Sequence, residues 1–228
     1  SNPLSHNLNT HGEETHAFER MNRVLDKTWH RCSELLKPGG IMCINIGNAV
    51  RTIDGNFRLY NNHARVIKYC ETAAQFTKSI DLVPLPGIIW KKKSNSPNSF
   101  MGSGMLPVGA HITLGHEHIL VFRKGEKRKF NTFDEKINRR NSAFFWEERN
   151  DWFSDIWDVP GTSQGARGGK RSGAFPFTIP YRLINMFSVK GDTVFDPFVG
   201  TGTTTLAAMA SGRNSIGYDI DASIVRDL

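Results

Sequence analysis

Residues 194–205 read VFDPFVGTGTTT, and this segment decides the fold class that the sequence predicts. A short apolar run ends at Asp196, Gly200 and Gly202 follow, and residues 206–210 are apolar helix formers. Glycines after a strand let the backbone turn sharply and approach a ligand closely. The segment therefore predicts a strand, a glycine-rich loop and a helix whose first N–H groups face a ligand.

A second predicted strand, residues 215–218, follows this helix and leads to Asp219. An acid in that position can accept hydrogen bonds from the hydroxyls of a ribose. Thr203 or Thr204 is expected to cap the helix. Threonines stand where a dinucleotide fold needs glycine beside a pyrophosphate, so we expect a nucleoside ligand without one. An ordinary turn between strand and helix is the alternative interpretation.

The rest of the chain alternates between helical and strand patterns, with no internal repeat. The spacing of apolar residues predicts helices over residues 14–37, 61–77, 179–187 and 203–210, and strands over 41–46, 87–91, 118–123 and 193–198. Residues 1–12 are polar and turn-rich, and they precede the first predicted helix. This alternation indicates an α/β fold with a doubly wound, mainly parallel sheet.

The composition indicates a basic globular protein. The chain has 228 residues, a net charge of +7 and a pI near 9.5, which is compatible with a polyanionic partner. Basic residues cluster at 91–93, 123–129, 139–140 and 167–171. No apolar run reaches the ~18–20 residues of a membrane helix, and the N-terminus lacks a signal core. We therefore expect an intracellular protein that does not bind a membrane.

Cysteine and histidine usage does not predict a metal site. The three cysteines lack CxxC spacing, which favours buried reduced thiols over a zinc site or a disulfide framework. His116 and His118 would share one face of a strand, but no further ligands accompany them. The aromatic residues within 144–146 and 152–157 are expected to pack in the interior.

Residues 196–203, which read DPFVGTGT, resemble the cofactor motif of DNA amino-methyltransferases in their circularly permuted β arrangement. Other segments follow in the order of that family: residues 37–40 with the strand ending at 47–48, the strands at 89–91 and 116–124, and the segment from Phe175 to Phe187. The resemblance covers roughly residues 14–124 and 155–221. It is the order of the motifs that makes it specific.

The resemblance implies one class I S-adenosylmethionine-dependent methyltransferase domain over residues 1–228, with a target-recognition insertion over 125–173. It implies S-adenosylmethionine as the cofactor, bound by Asp196, Pro197, Phe198, Gly200, Gly202, Thr203, Thr204, Asp219 and Phe175. The implied substrate is double-stranded DNA with a flipped base, methylated at an exocyclic amine, with cytosine N4 favoured slightly over adenine N6. The expected setting is a prokaryotic restriction–modification system in the cytoplasm, close to the nucleoid.

Basic residues near predicted loops are the candidates for contacts to DNA phosphates. They are Lys91, Lys92, Lys93, Arg139, Arg140, Arg167, Lys170 and Arg171. Solvated surface charge is the alternative interpretation for each of them.

One family motif is missing. In the family, a Ser/Asp/Asn-Pro-Pro-aromatic tetrapeptide binds the target amine and stacks on the base, yet none of the ten prolines here is adjacent to another. Asn2 and Pro3 are weak catalytic candidates, because Leu4 cannot stack as an aromatic ring does. We expect the tetrapeptide to precede residue 1, and a further helix to follow the last residue. A DNA-binding module without catalysis, or an RNA or small-molecule methyltransferase, stays as an alternative.

Overall fold

A computed structural model describes residues 3–53, 56–76, 81–92, 112, 114–161 and 175–221, with side chains described from residue 16, except those of residues 53 and 56 and those beyond residue 73 in the second helix. The elements in chain order are α1 (Pro3–Leu35), β1 (Ile41–Ile46), β2 (Ala49–Ile53), β3 (Asn56–Tyr60), α2 (Asn62–Phe76), β4 (Leu82–Lys91), β5 (His116–Lys124), α3 (Phe133–Asn141), α4 (Trp146–Trp152), β6 (Ile156–Asp158), α5 (Thr178–Phe187), β7 (Thr193–Asp196), α6 (Thr203–Ala210) and β8 (Asn214–Gly217). They fall into two compact units, residues 1–87 with 118–128 and residues 88–117 with 129–228.

The sheets are mixed. The larger sheet has four strands in the order β1-β5-β4-β6, in which β1 pairs antiparallel with β5 and β4 pairs parallel with β6. Strands β7 and β8 form a parallel pair, and β2 and β3 form an antiparallel hairpin. The expected α/β combination of strands and helices is therefore confirmed, with two antiparallel pairs, β1 with β5 and β2 with β3, among its strands.

Most of the predicted elements are confirmed, but two boundaries were wrong by five residues or more. The first helix begins at Pro3 rather than near Glu14, so most of the polar stretch 1–12 is helical. Proline is compatible with a helix start, where its missing N–H needs no partner. Gly12, inside the helix, lowers helix stability by only about 1 kcal/mol. Strand β4 begins at Leu82, five residues before the predicted start, because Pro84 and Pro86 obscured the strand pattern.

The first unit has its own hydrophobic core. It consists of Trp29, Met42, Ile44, Val66, Cys70, Leu82, Leu120 and Phe122. Met42 and Ile44 are buried because alternate residues of a strand point to the same face. The ammonium group of Lys124 donates to the carbonyl oxygens of Ser33 (2.6 Å) and Glu34 (3.1 Å), which satisfies acceptors at the end of α1.

The segment after β5 is more regular than its sequence pattern indicated. It contains α3, α4 and β6. Helix α3 begins with a capping box of Thr132 and Glu135, and at the start of α4 the Phe145 N–H donates to the Glu148 carboxylate (2.8 Å). Trp152 and Trp157 are buried, as predicted. The prediction of packing was wrong for Phe145 and Trp146, which are 76% and 70% exposed.

Candidate cofactor site

The glycine-rich loop is joined to the ends of two parallel strands. In the register of β7 and β8, Asp196 lies opposite Gly217. Beyond this pair, the Tyr218 N–H donates to the carbonyl oxygen of Asp196 (2.9 Å), and the Val199 N–H donates to that of Tyr218 (2.8 Å). These bonds fix the loop at the carboxyl ends of the strands, where ligands bind in open α/β sheets.

Helix α6 begins without a side-chain cap. Its N-cap residue is Gly202, in the left-handed conformation at φ +77°, so the prediction that Thr203 or Thr204 caps the helix was wrong. The Gly202 N–H donates to the carbonyl oxygen of Val199 (2.9 Å), and its own carbonyl accepts from Leu206 (2.9 Å). Glycine is favoured here because a left-handed residue with a Cβ is strained. The N–H groups of the first turn have no acceptor within the helix, so they can bind a ligand.

Both predicted acids contact backbone of the loop. The Asp196 carboxylate accepts from the Phe198 N–H (2.9 Å). Asp219 accepts at both oxygens, from the Gly200 N–H at Oδ2 and from the Asp221 N–H at Oδ1, each at 2.9 Å. The structure therefore brings Asp196 and Asp219, two of the predicted cofactor residues, to the same loop.

A glycine in β8 makes room for the loop. A Cβ on Gly217 would lie 2.5 Å from Cγ2 and 2.8 Å from Cβ of Val199, which is buried. Both of these atoms are closer than real side-chain contacts allow. Gly217 was not among the predicted site residues, because its role depends on a contact across the loop that no local pattern reports.

The other predicted cofactor residues surround this loop or begin the preceding helix. Pro197, Thr203 and Thr204 are half-buried, and Phe198 is 53% exposed. Phe175 is half-buried and lies just before α5. Helix α5 packs on α6 through a cluster of Ile184, Ala207 and Ala208, with Tyr181 and Val194 beside it.

A buried arginine just before β8 was not predicted. Arg213 is 5% exposed and donates to Oγ (3.0 Å) and the carbonyl oxygen (2.8 Å) of Ser188, to Oδ1 of Asn185 (3.1 Å) and to the carbonyl oxygen of Ser211. Burial lowers the pKa of this guanidinium. Arg213 thus connects the ends of α5 and α6 to β8. In the sequence it resembles any surface arginine beside a glycine.

The predicted lysine contacts differ in how they are engaged. Lys91 is exposed and lies opposite Asp158 in the parallel register of β4 and β6. The Lys92 ammonium forms an ion pair with Glu117 and lies 4.8 Å from the ring centroid of Trp90. Lys92 therefore already has two partners within the protein.

Helix α3 carries two of the predicted arginines on an exposed surface. The Arg139 guanidinium lies 5.0 Å from the ring centroid of Phe130, and Arg140 is exposed. Lys93, Arg167, Lys170, Arg171 and Asn2 lie outside the described residues, as does the side chain of Pro3.

Helix α3 is attached to the turn before β7. Asn138 Nδ2 donates to the carbonyl oxygen of Lys190 (2.9 Å), and the Lys190 N–H donates to Ser142 Oγ (2.9 Å). Lys190 lies in the turn before β7 and Asp196 ends that strand, so the attachment and the loop lie beyond opposite ends of β7.

Two of the cysteines are protonated thiols at neutral pH. Burial raises the pKa of the Cys43 and Cys70 thiols to about 12. The described side chains include no group of three or more His, Cys, Asp or Glu that could hold a metal ion. Within the part of the chain that the structure describes, no helix has the length and apolar character of a membrane span.

A family model described as DNA methylase matches residues 7–228. The chain belongs to this family. The match confirms the resemblance to DNA amino-methyltransferases that the order of motifs indicated. It also runs without interruption through both compact units.

Two curated relatives are half identical to this member of the DNA methylase family. Type II methyltransferase M.MthZI of Methanothermobacter thermautotrophicus is 50% identical over 90% of this chain and 57% of its own length. Type II methyltransferase M.MjaI of Methanocaldococcus jannaschii is 50% identical over 91% of this chain and 66% of its own. The chain thus spans about three fifths of the length of these relatives.

A solved structure shares the fold. TTHA0409 of Thermus thermophilus, crystallised in complex with S-adenosyl-L-methionine, superposes with a TM-score of 0.73 at 29% identity. The superposition covers 92% of this chain and 75% of that one.

Proposed function

We propose that the protein is an S-adenosylmethionine-dependent methyltransferase that acts on an exocyclic amine of a base in double-stranded DNA. The observation that carries this proposal is the loop between β7 and α6, with Asp219 following β8 and an uncapped helix start beside it. Two half-identical relatives named as type II methyltransferases, and the cofactor in the complex of TTHA0409, support it.

The donors and acceptors of the loop fit a nucleoside cofactor. The free N–H groups of α6 can bind polar atoms, the Asp219 carboxylate can accept from ribose hydroxyls, and exposed Phe198 can cover an apolar part of the ligand. When bound, the cofactor supplies a methyl group on a positively charged sulfur. The residues that we propose to hold it are Asp196, Pro197, Phe198, Gly200, Gly202, Thr203, Thr204, Asp219 and Phe175.

The proposed DNA contacts are Lys91, Lys92, Lys93, Arg139, Arg140, Arg167, Lys170 and Arg171. The exposure of Lys91, Arg139 and Arg140 supports their part in this proposal. The ion pair of Lys92 with Glu117 argues for a smaller contribution from Lys92, because binding a phosphate would mean leaving an existing partner. Such contacts position DNA without reading its sequence.

Cytosine N4 is proposed over adenine N6 as the target by a slight preference, with the base flipped out of the duplex. A second candidate is a DNA-binding module without catalysis. It is favoured by one observation, the absence of any Pro-Pro-aromatic sequence from the 228 residues. The proposed cellular setting is restriction–modification in the prokaryotic cytoplasm.

For the architecture, we propose a doubly wound sheet within one domain over residues 1–228, with residues 125–173 as the recognition insertion. One face of β7 and β8 contacts helices through Val194. On the other face, Phe195 packs edge to face on Tyr218, and Ile216 and Tyr218 are 49% and 63% exposed. Parallel sheets are normally covered on both faces, which supports a second helical layer there.

Transfer of labelled methyl from S-adenosylmethionine to duplex DNA, followed by nucleoside analysis, tests the proposal. We expect label in N4-methylcytosine, or in N6-methyladenine if the lesser alternative holds. Cofactor and DNA binding without transfer would support the non-catalytic module. Label only in RNA or a small molecule would contradict the proposed substrate.

A further inference from the structure

The Asp219 carboxylate is engaged with backbone before any ligand is considered. Its Oδ2 accepts from the Gly200 N–H and its Oδ1 from the Asp221 N–H, both at 2.9 Å. The bond to Gly200 crosses from the end of β8 to the centre of the glycine-rich loop, 19 residues earlier in the chain. Asp219 is therefore part of the structure that gives the loop its shape.

Gly200 is one of two left-handed glycines in the loop, and the bond to Asp219 holds its N–H. Its backbone is left-handed, at φ +50°, and it lies between Val199, which bonds to Tyr218, and Gly202, which begins α6. A glycine loses more conformational freedom on folding than any other residue, so a strong bond is needed to hold it in one conformation. A hydrogen bond to a carboxylate is about twice as strong as one between neutral groups.

Asp196 makes a different kind of bond. Its carboxylate accepts from the N–H of Phe198, two residues later, which closes a local turn that the segment can form by itself. The contact of Asp219 with Gly200 instead depends on β8 being in place. Of these two acids, Asp219 is the one that joins the loop to the next strand.

We infer that Asp219 is a positioning residue for the glycine-rich loop, in addition to a ligand of the cofactor ribose, and so couples ribose binding to the conformation of Gly200. The inference rests on the proposed function for the identity of the ligand. A carboxylate has about four acceptor positions, so two remain for ribose hydroxyls when two N–H groups are bound. The loop is thereby preorganised in the free protein.

The first test measures the loop without ligand. Hydrogen exchange is followed by NMR in the free full-length chain. We expect the Gly200 amide to be protected in the native protein and to exchange at least ~10-fold faster in Asp219→Ala. Asp219→Asn keeps an acceptor and should be intermediate. Asp155→Asn removes an exposed charge elsewhere and should leave Gly200 unchanged. Unchanged protection in folded Asp219→Ala overturns the inference.

The second test separates positioning from ribose contact. Affinities for S-adenosylhomocysteine and for its 2′,3′-dideoxy counterpart are compared by calorimetry in the native chain and in Asp219→Asn. A role in ribose contact alone predicts that the variant loses nothing with the dideoxy ligand. We expect a loss of about 10-fold to persist with it, because Gly200 is still less well held.

These outcomes distinguish failure of the proposed function from failure of the positioning role of Asp219. Failure of the native chain to bind either ligand contradicts the proposed function, while the exchange of Gly200 remains readable in the free protein. Binding by the native chain, with no effect of Asp219→Asn on the dideoxy ligand, contradicts only the positioning role.

Discussion

Two regions of the second compact unit are held together in different ways. In the proposed cofactor region, residues 193–221, the loop is closed by bonds between members of the region, such as Gly200 to Asp219, 19 residues apart, and Arg213 bonds to nearby Asn185 and Ser188. The recognition region, residues 129–159 of the proposed recognition insertion, is also attached to partners much farther away in the chain. Asn138 bonds to Lys190, 52 residues away, and Trp90 Nε1 donates to the carbonyl oxygen of Val159, 69 residues away, at 2.7 Å.

The difference predicts that the two regions tolerate single substitutions to different degrees. A region closed by its own bonds presents one geometry to a ligand, and most single changes within it should alter binding. A region held by distant anchors can change its surface while the anchors keep its position. In the recognition region, exposed Phe145 and Trp146 lie close in sequence to buried Trp152 and Trp157.

The largest effect on stability is expected from Arg213→Met. It leaves the buried acceptors of Ser188, Asn185 and Ser211 without their donor, and we expect the free energy of unfolding to fall by about 3 kcal/mol. Urea denaturation measures this change. Arg149→Met is the control, since Arg149 is exposed and its guanidinium contacts exposed partners, the rings of Trp146 and Phe153 and Oδ1 of Asn150 (3.3 Å). Equal losses in both variants would contradict the role of Arg213 in the cofactor region.

Gly217→Ala tests the cofactor region through its affinity for the cofactor. The added Cβ collides with Val199, so the loop must shift, and we expect affinity for S-adenosylmethionine to fall about 10- to 100-fold. Calorimetry measures the affinity. Gly161→Ala is the matched control, because a Cβ there meets no atom within 4 Å. Partial recovery in the double variant with Val199→Ala would identify the collision as the cause.

Trp90→Phe tests the anchoring of the recognition region. It removes the indole donor to Val159, and we expect the free energy of unfolding to fall by about 1–2 kcal/mol. Affinity for S-adenosylmethionine should not change. Trp146→Phe, at a side chain 70% exposed, serves as the control. A loss of cofactor affinity in Trp90→Phe would mean that the two regions are not separable.

The smallest effect is expected from the double variant Arg139→Ala/Arg140→Ala. If these exposed side chains bind phosphates, DNA affinity should fall a few-fold, and the slope of log affinity against log salt should decrease by about 1–2. Titrations at several salt concentrations measure both. Lys68→Ala, on the exposed side of α2, is the control. An unchanged slope would remove α3 from the proposed DNA surface.

The sequence predicts elements that depend on local contacts better than those that depend on contacts between distant residues. The strand, the loop and α6 are recovered from the sequence because the left-handed glycines Gly200 and Gly202 and the apolar runs beside them form a local pattern, although the predicted strand 193–198 ends at Asp196. The cap by Thr203 or Thr204 was wrong because Gly202 itself begins the helix.

The contacts that sequence reasoning missed join residues far apart in the chain. The role of Gly217 is visible only from its contact with Val199, and that of Arg213 only from the four acceptor atoms of three residues around it. Helices α3 and α4 were obscured by their charge, although the spacing of Thr132 and Glu135 is that of a capping box.

Calorimetric titration of the full chain with S-adenosylmethionine tests the central claim most directly, because it depends on the cofactor region and not on the missing tetrapeptide. We predict saturable binding at a single site per chain, competed by S-adenosylhomocysteine and weakened by Gly217→Ala but not by Gly161→Ala. Absence of binding by the folded native chain, or equal binding by Gly217→Ala, would contradict the assignment of residues 193–221 as the cofactor site.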